Sequence, residues 1–347
     1  MDRPSPQTYE QIIGQPAAVN RLKAALTGGR VAHALLLCGP DGSGKRTLAQ
    51  ILARALLCTS DEKPCNHCSS CKKALSGNHA DLHVLIPREE GAKGGPERTL
   101  APGTPRLKRK SLGVEEARAI ARLIDVKPYE GGRAIVVIDS AQELTIAAQN
   151  TMLKTLEEPP EHVVFLLLAE SLSALLPTVL SRCAVVKLNR LSAADTRRVL
   201  LDRGCPDDTR TAEAVNLSDG LPGRALELLP DDGFWTLRDQ ALQALPGLVG
   251  SGRLAEAMRF MQDNRNRWPL LIDIWERAIR DALMDHAGVH VPYMLGTAQP
   301  SLRALPPQRL ESMLVAIQNA RRAMDGNGIF TVVMDNLLIE FTGGITA

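Results

Sequence analysis

Residues 34–47 read ALLLCGPDGSGKRT, and the architecture follows from them. Five apolar residues, Ala34 to Cys38, run straight into a glycine-rich segment. Beyond it, Leu48, Ile51, Leu52 and Ala55 recur at i, i+3, i+4 and i+7. A continuous apolar string reads as a strand buried on both faces, and the recurrence as one face of a helix. Strand, glycine loop and helix in that order form a cradle for phosphate. Glycines let backbone N–H groups close around the anion, the helix N-terminus adds a favourable dipole, and a lysine meets the terminal phosphates. Gly39, Gly44 and Lys45 match the G-x4-G-K frame, with Gly42 inside it. The next position should carry a hydroxyl to hold magnesium, but here it is Arg46, and Thr47 comes one residue late. Two readings stay open: a nucleotide site, or a loop that keeps the shape without the ligand.

Four more apolar strings follow: His83 to Ile86, Ala134 to Ile138, Val163 to Leu168 and Ala184 to Leu188. Helical spacing lies between them, as at Ala117, Ile120, Ala121 and Ile124. Alternation of this kind predicts a parallel α/β sheet. The third string ends in Asp139, where an acidic residue helps hold the metal of a bound nucleotide. A hydrolytic version continues with glutamate to activate water. Here Ser140 follows, and a hydroxyl is too weak a base near neutral pH. After about Asn189 the strand signal stops. Leu271, Ile274, Trp275 and Ala278 make one apolar helical stripe, and Leu310, Met313, Leu314 and Ile317 another, with a break near Pro230 to Gly233.

Four of the seven cysteines fall in one short stretch, Cys58, Cys65, Cys68 and Cys71, spaced C-x6-C-x2-C-x2-C. Two C-x2-C steps aim thiolates at a common point, and a fourth from the preceding helix end closes a tetrahedron. Zinc suits such a set, and an iron–sulfur cluster is the alternative. Four protein ligands leave no open position, which makes the site structural. Cys38, Cys183 and Cys205 read as isolated thiols.

Residues 88–113 are rich in glycine and proline, and Arg98, Arg106, Lys108, Arg109 and Lys110 make the second half basic. This segment reads as a solvated loop or as a phosphate contact in a larger assembly. Over the whole chain of 347 residues, 41 Lys and Arg balance 39 Asp and Glu, a net charge of +2. That balance excludes a nucleic-acid coat or a polybasic membrane binder. Aromatics at 3% exclude a base-stacking platform as the main activity. No apolar run approaches the ~20 residues a bilayer needs, and the start has no signal-peptide core. The expected location is the cytoplasm, with no membrane contact.

Gly14-Gln15, HALLLCGPDGSGK at 33–45, the cysteine cluster, NTMLKTLEEPPEH at 150–162 and LSRC at 180–183 together resemble the clamp-loader subunits of bacterial DNA polymerase III, of the AAA+ class. Within them the chain is more similar to the delta prime type than to the ATP-hydrolysing gamma/tau type. The resemblance implies an AAA+ P-loop module over 1–188 with an inserted four-cysteine zinc module at 58–71. A small helical lid over 189–232 and an all-α collar over 233–347 would follow. It implies gamma/tau and delta partners in a hetero-pentameric ring, with the sliding clamp and primer-template DNA reached through the complex. It implies part of a DNA-directed DNA polymerase, a nucleotidyltransferase, with no polymerase activity of its own.

The resemblance also separates motor from non-motor subunits. Arg46 stands where motors have Ser or Thr, and Asp139-Ser140 where they have Asp-Glu. Ala169 stands near a motor threonine, and Arg224 falls one position late after Gly220-Leu221-Pro222-Gly223. Zinc on the four cysteines is the expected cofactor, while ATP or ADP at Gly39, Gly42, Gly44, Lys45, Arg46, Thr47 and Asp139 is left open by these departures. Ser181-Arg182-Cys183 resembles the family's SRC motif, which implies that Arg182 points at ATP on a neighbouring subunit. Two other readings compete. An active motor would need Thr47 to replace the missing hydroxyl. A zinc-based nucleic-acid module would use the cysteines beside the basic loop.

Overall fold

A computed structural model describes residues 8–87, 111–130, 132–250, 254–289, 299–326 and 328–342. Five strands form one sheet: β1 (Ala34–Cys38), β2 (Leu82–Leu85), β3 (Ala134–Ile138), β4 (Val163–Ala169) and β5 (Ala184–Lys187). Each expected string is a strand, with ends displaced by at most one residue. The spatial order is β2-β3-β4-β1-β5, and every pairing is parallel. Every residue of β1, β3 and β4 is buried. Their apolar strings are unbroken because helices cover both faces. One face carries the helix Lys45–Leu57, whose Leu48, Ile51, Leu52 and Ala55 are fully buried. The other carries Val114–Ile124 and Ile146–Glu157.

The chain separates into two compact units, Met1–Leu226 and Glu227–Ala347. The helices expected as a lid, Ala193–Asp202, Thr209–Ser218 and the start of Pro222–Leu228, belong to the first unit. The helices expected as a lid therefore group with the sheet, and a hydrogen-bonded junction joins the two. Gln15 fixes that junction. Its side-chain amide donates to the Asn189 carbonyl at 2.6 Å and accepts from the Asn189 N–H at 3.0 Å. Gly14 has φ +71°, and a Cβ there would lie 2.3 Å from the Leu191 side chain. The second unit is helical throughout its described elements, including Trp268–His286, Pro307–Asp325 and Phe330–Thr342. Both expected stripes face inward, with Trp275 fully buried and its Nε1 donating to the Ala241 carbonyl at 2.9 Å. No helix among the described residues is long and apolar enough to cross a membrane. Most of the basic loop, 88–110, lies outside the described residues.

Candidate functional site

The glycine loop leaves β1 and turns into the helix Lys45–Leu57, with Gly42 and Gly44 at φ +80° and +96°. Those angles strain any residue with a Cβ, so the spacing of the glycines follows from the turn itself. Lys45 is buried, and its Nζ donates to the loop's own carbonyls at Gly39 (2.6 Å) and Pro40 (2.9 Å). Burial holds its ammonium below the ordinary lysine range. Ser43 is also buried, and its hydroxyl finds no hydrogen-bond partner. A Cβ on Gly44 would meet no atom within 4 Å, so the loop keeps open space there.

Asp139 follows the end of β3, where its N–H donates to the Leu85 carbonyl at 2.9 Å. Its buried carboxylate is engaged by Arg46, which reaches it through Nε at 2.5 Å and through Nη2. The residue that replaces the metal-holding hydroxyl thus sits directly on the residue that would hold the metal. Thr47, one residue on, is turned about 100° further round the helix. Ser140 supplies a hydroxyl and no carboxylate beside Asp139, with a left-handed backbone at φ +60°. The lid meets the same loop: the Gly223 N–H donates to the Gly42 carbonyl at 2.9 Å. Ala169 ends β4 beside Cys38, leaving no polar side chain at that point.

The divalent-metal half of a nucleotide site therefore does not fit these residues. A cation already neutralises Asp139. Around the loop, the Ser43 hydroxyl is unpartnered and Gly44 faces open space, while the Gly42 N–H donates to the Asp41 carboxylate at 2.7 Å.

The four cysteines do converge. Cys58 caps the helix Lys45–Leu57, Cys68 caps the helix Ser69–Leu75, and Cys71 lies within the latter. All four Sγ atoms lie within 4.8 Å of one another. A tetrahedron with zinc–sulfur arms of ~2.3 Å has edges of about 3.8 Å, and Cys58 and Cys68 are 3.9 Å apart. Backbone N–H groups point at the sulfurs: Cys65 to Cys58 at 3.5 Å, Cys68 to Cys65 at 3.4 Å, and Cys71 to Cys68 at 3.4 Å. Such bonds favour thiolate. A hydrogen bond from Ser60 contributes most to drawing the Cys65 thiol down to about 5. The donor set fits a closed four-sulfur metal site.

Sequence reasoning missed the shell behind it. Ser70 donates its hydroxyl to the Leu57 carbonyl at 2.7 Å and meets the His79 Nε2 at 2.7 Å. His79 Nδ1 accepts from the Asp81 N–H at 3.1 Å, and the Asp81 carboxylate accepts from the N–H groups of Tyr129 and Glu130. This chain of bonds joins the cysteine module to the start of β2. No periodicity signals it, since its members are spread from 70 to 130 in the sequence and each is individually common.

Arg182 follows the short helix Pro177–Leu180 and is half-exposed. Its Nη2 donates to Glu157 at 2.5 Å, and its Nη1 to the Thr178 carbonyl at 2.7 Å and the Ser181 hydroxyl at 3.2 Å. Glu157 ends the helix Ile146–Glu157, so the LEEPP segment and the SRC segment meet through this pair. The phosphate loop and Arg182 are separate features within the first unit.

A family model described as DNA polymerase III, delta subunit, matches residues 14–192. The chain is 30% identical to DNA polymerase III subunit delta' of Escherichia coli K12 over 312 residues, 88% of this chain and 86% of that protein. It is 34% identical to subunit delta' of Pseudomonas aeruginosa over 259 residues, 71% of this chain and 70% of that one. It is 32% identical to subunit tau of Escherichia coli K12 over 266 residues, but spans 37% of that protein. Among solved structures, a gamma-subunit-related protein of Thermotoga maritima aligns over 92% of this chain and 98% of that one, at 18% identity and a TM-score of 0.42.

Proposed function

The chain belongs to the delta' family of DNA polymerase III subunits, and from that premise we propose that it is a non-hydrolysing clamp-loader subunit. Its task is to lend Arg182 to ATP bound on a neighbouring gamma/tau subunit. It works in a ring with gamma/tau and delta that places the sliding clamp on primer-template DNA. The observation that carries this reading is the position of Arg182, half-exposed and resting on the half-exposed Glu157. A guanidinium on the outside of the module, held by surface contacts, is available to another subunit.

Arginine suits that role because its planar fork stays charged and bridges two phosphate oxygens. It would neutralise the charge that develops as the γ-phosphoryl group transfers. In its own loop the chain has no equivalent machinery. Arg46 sits on Asp139, and Ser140 has no carboxylate to activate water. Cys58, Cys65, Cys68 and Cys71 would hold zinc, which supplies a structural cross-link between the end of one helix and the start of the next.

A loader reconstituted with Arg182→Ala tests the reading, with hydrolysis measured at the one site that faces this chain. Arginine fingers contribute about 10³ to 10⁵ in rate in GTPases, and a loss of at least ten-fold is expected. An unchanged rate would falsify the role.

A further inference from the structure

We infer that Arg46 is a resident substitute for the divalent cation of the phosphate loop, so that Asp139 is closed to metal–nucleotide by this one side chain. The inference rests on the reading that the chain does not hydrolyse ATP, and assigns the cause to a single residue.

Three observations lead to it. The carboxylate that would hold the ion is buried, and Arg46 meets it with two nitrogens, Nε at 2.5 Å and Nη2. A divalent ion at Asp139 would have to displace that guanidinium or lie beside it, and like charges at such range repel strongly where water is scarce. The rest of the cradle is still built. Lys45 stands in frame on the carbonyls of Gly39 and Pro40, and the Ser43 hydroxyl is buried without a partner. At Gly44 the loop leaves open space at the head of a 13-residue helix, where N–H groups lack partners within the helix. Finally, the lid contact uses the Gly42 carbonyl. It therefore consumes none of the N–H groups that a phosphate would need.

The metal half is thus closed by one side chain, while in the phosphate half the Gly42 N–H rests on the Asp41 carboxylate at 2.7 Å and the Ser43 N–H on the Pro40 carbonyl at 3.2 Å, contacts internal to the loop. A threonine at position 46 returns the hydroxyl and removes the charge together. The Arg46→Thr chain then presents a hydroxyl and a free carboxylate to the cation, with Lys45 left for the terminal phosphates.

The test uses the zinc-loaded full chain, manganese(II) as the probe and ATP as the co-ligand, with bound metal read by electron paramagnetic resonance. The wild-type chain should bind no manganese in an ATP-dependent manner. Arg46→Thr should gain ATP-dependent manganese binding by at least about ten-fold in affinity. Arg46→Gln, uncharged and of similar reach, should gain part of it. Adding Asp139→Asn to either should abolish the gain, and Arg46→Lys, which keeps the charge, should not show it. Folded Arg46→Thr or Arg46→Gln chains without the gain overturn the inference. So does ATP-dependent manganese binding by the wild type, which decides the matter even if the variants do not fold. Turnover is measured in parallel. Hydrolysis by the wild type would remove the functional reading, whereas manganese binding without hydrolysis would remove only this inference.

Discussion

Replacing Gly223 with alanine should lower the stability of the first unit, against the usual preference of helices for alanine. Gly223 is the second residue of the helix Pro222–Leu228. A Cβ there would lie 2.7 Å from Gly42 Cα and 3.1 Å from Gly42 O. Both are backbone atoms, so no rotamer change relieves the clash, and either the loop or the lid must shift. Overpacking of this kind costs typically ~1–3 kcal/mol. The helix propensity of alanine over glycine returns at most about 1 kcal/mol. A net loss of up to about 2 kcal/mol remains, equivalent to a fall of up to roughly 8 °C in the melting temperature of a unit this size. Differential scanning calorimetry of the full chain reads the transition of the first unit. Gly44→Ala is the comparison: its cost is left-handed strain at φ +96° with no neighbour within 4 Å. A Gly223→Ala chain melting above the wild type would refute the contact between lid and loop, because propensity alone would raise stability.

Further outcomes follow from the cysteine module and from Arg182. Cys65→Ser should reduce bound zinc from about one per chain to none by atomic emission, and lower the melting temperature, since metal binding here is folding free energy. Burial holds His79 below the ordinary imidazole range, so the folded chain keeps it neutral while the unfolded chain takes a proton near pH 6.5. Its contribution is therefore present above about pH 6.5 and lost as pH falls toward the folded value. His79→Gln should flatten the difference in melting temperature between pH 7.5 and 5.5, and an unchanged slope would count against it. Breaking the pair with Glu157→Gln should alter hydrolysis at the neighbouring site by less than about five-fold. Exposed pairs contribute only ~0.2–1 kcal/mol, far less than an arginine finger.

The sheet was legible because β1, β3 and β4 are buried on both faces, which leaves a mark that no solvent-facing residue interrupts. Even β5, only partly buried, kept an apolar string. The cysteine cluster was legible because its four thiols are close in sequence and soft in kind. Arg46 and Asp139 were each visible as departures from a motif, but not as partners. They lie 93 residues apart, and only the adjacency of β3 to the sheet's centre brings them together. Glu157 was hidden for the same reason. It ends one helix, Arg182 follows another, and charge alone gives no hint of pairing. The attachment of the lid was hidden because it runs through Gly42 and Gln15, which no local sequence signal pairs with Gly223 and Asn189.

Electron cryomicroscopy of the assembled loader with a non-hydrolysable ATP analogue would show where the Arg182 guanidinium lies. Arg182 is expected to leave Glu157 and lie at hydrogen-bonding distance, about 2.7–2.9 Å, from the γ-phosphate on the adjacent subunit. Arg182 still paired with Glu157 and remote from that phosphate in every nucleotide state would contradict it.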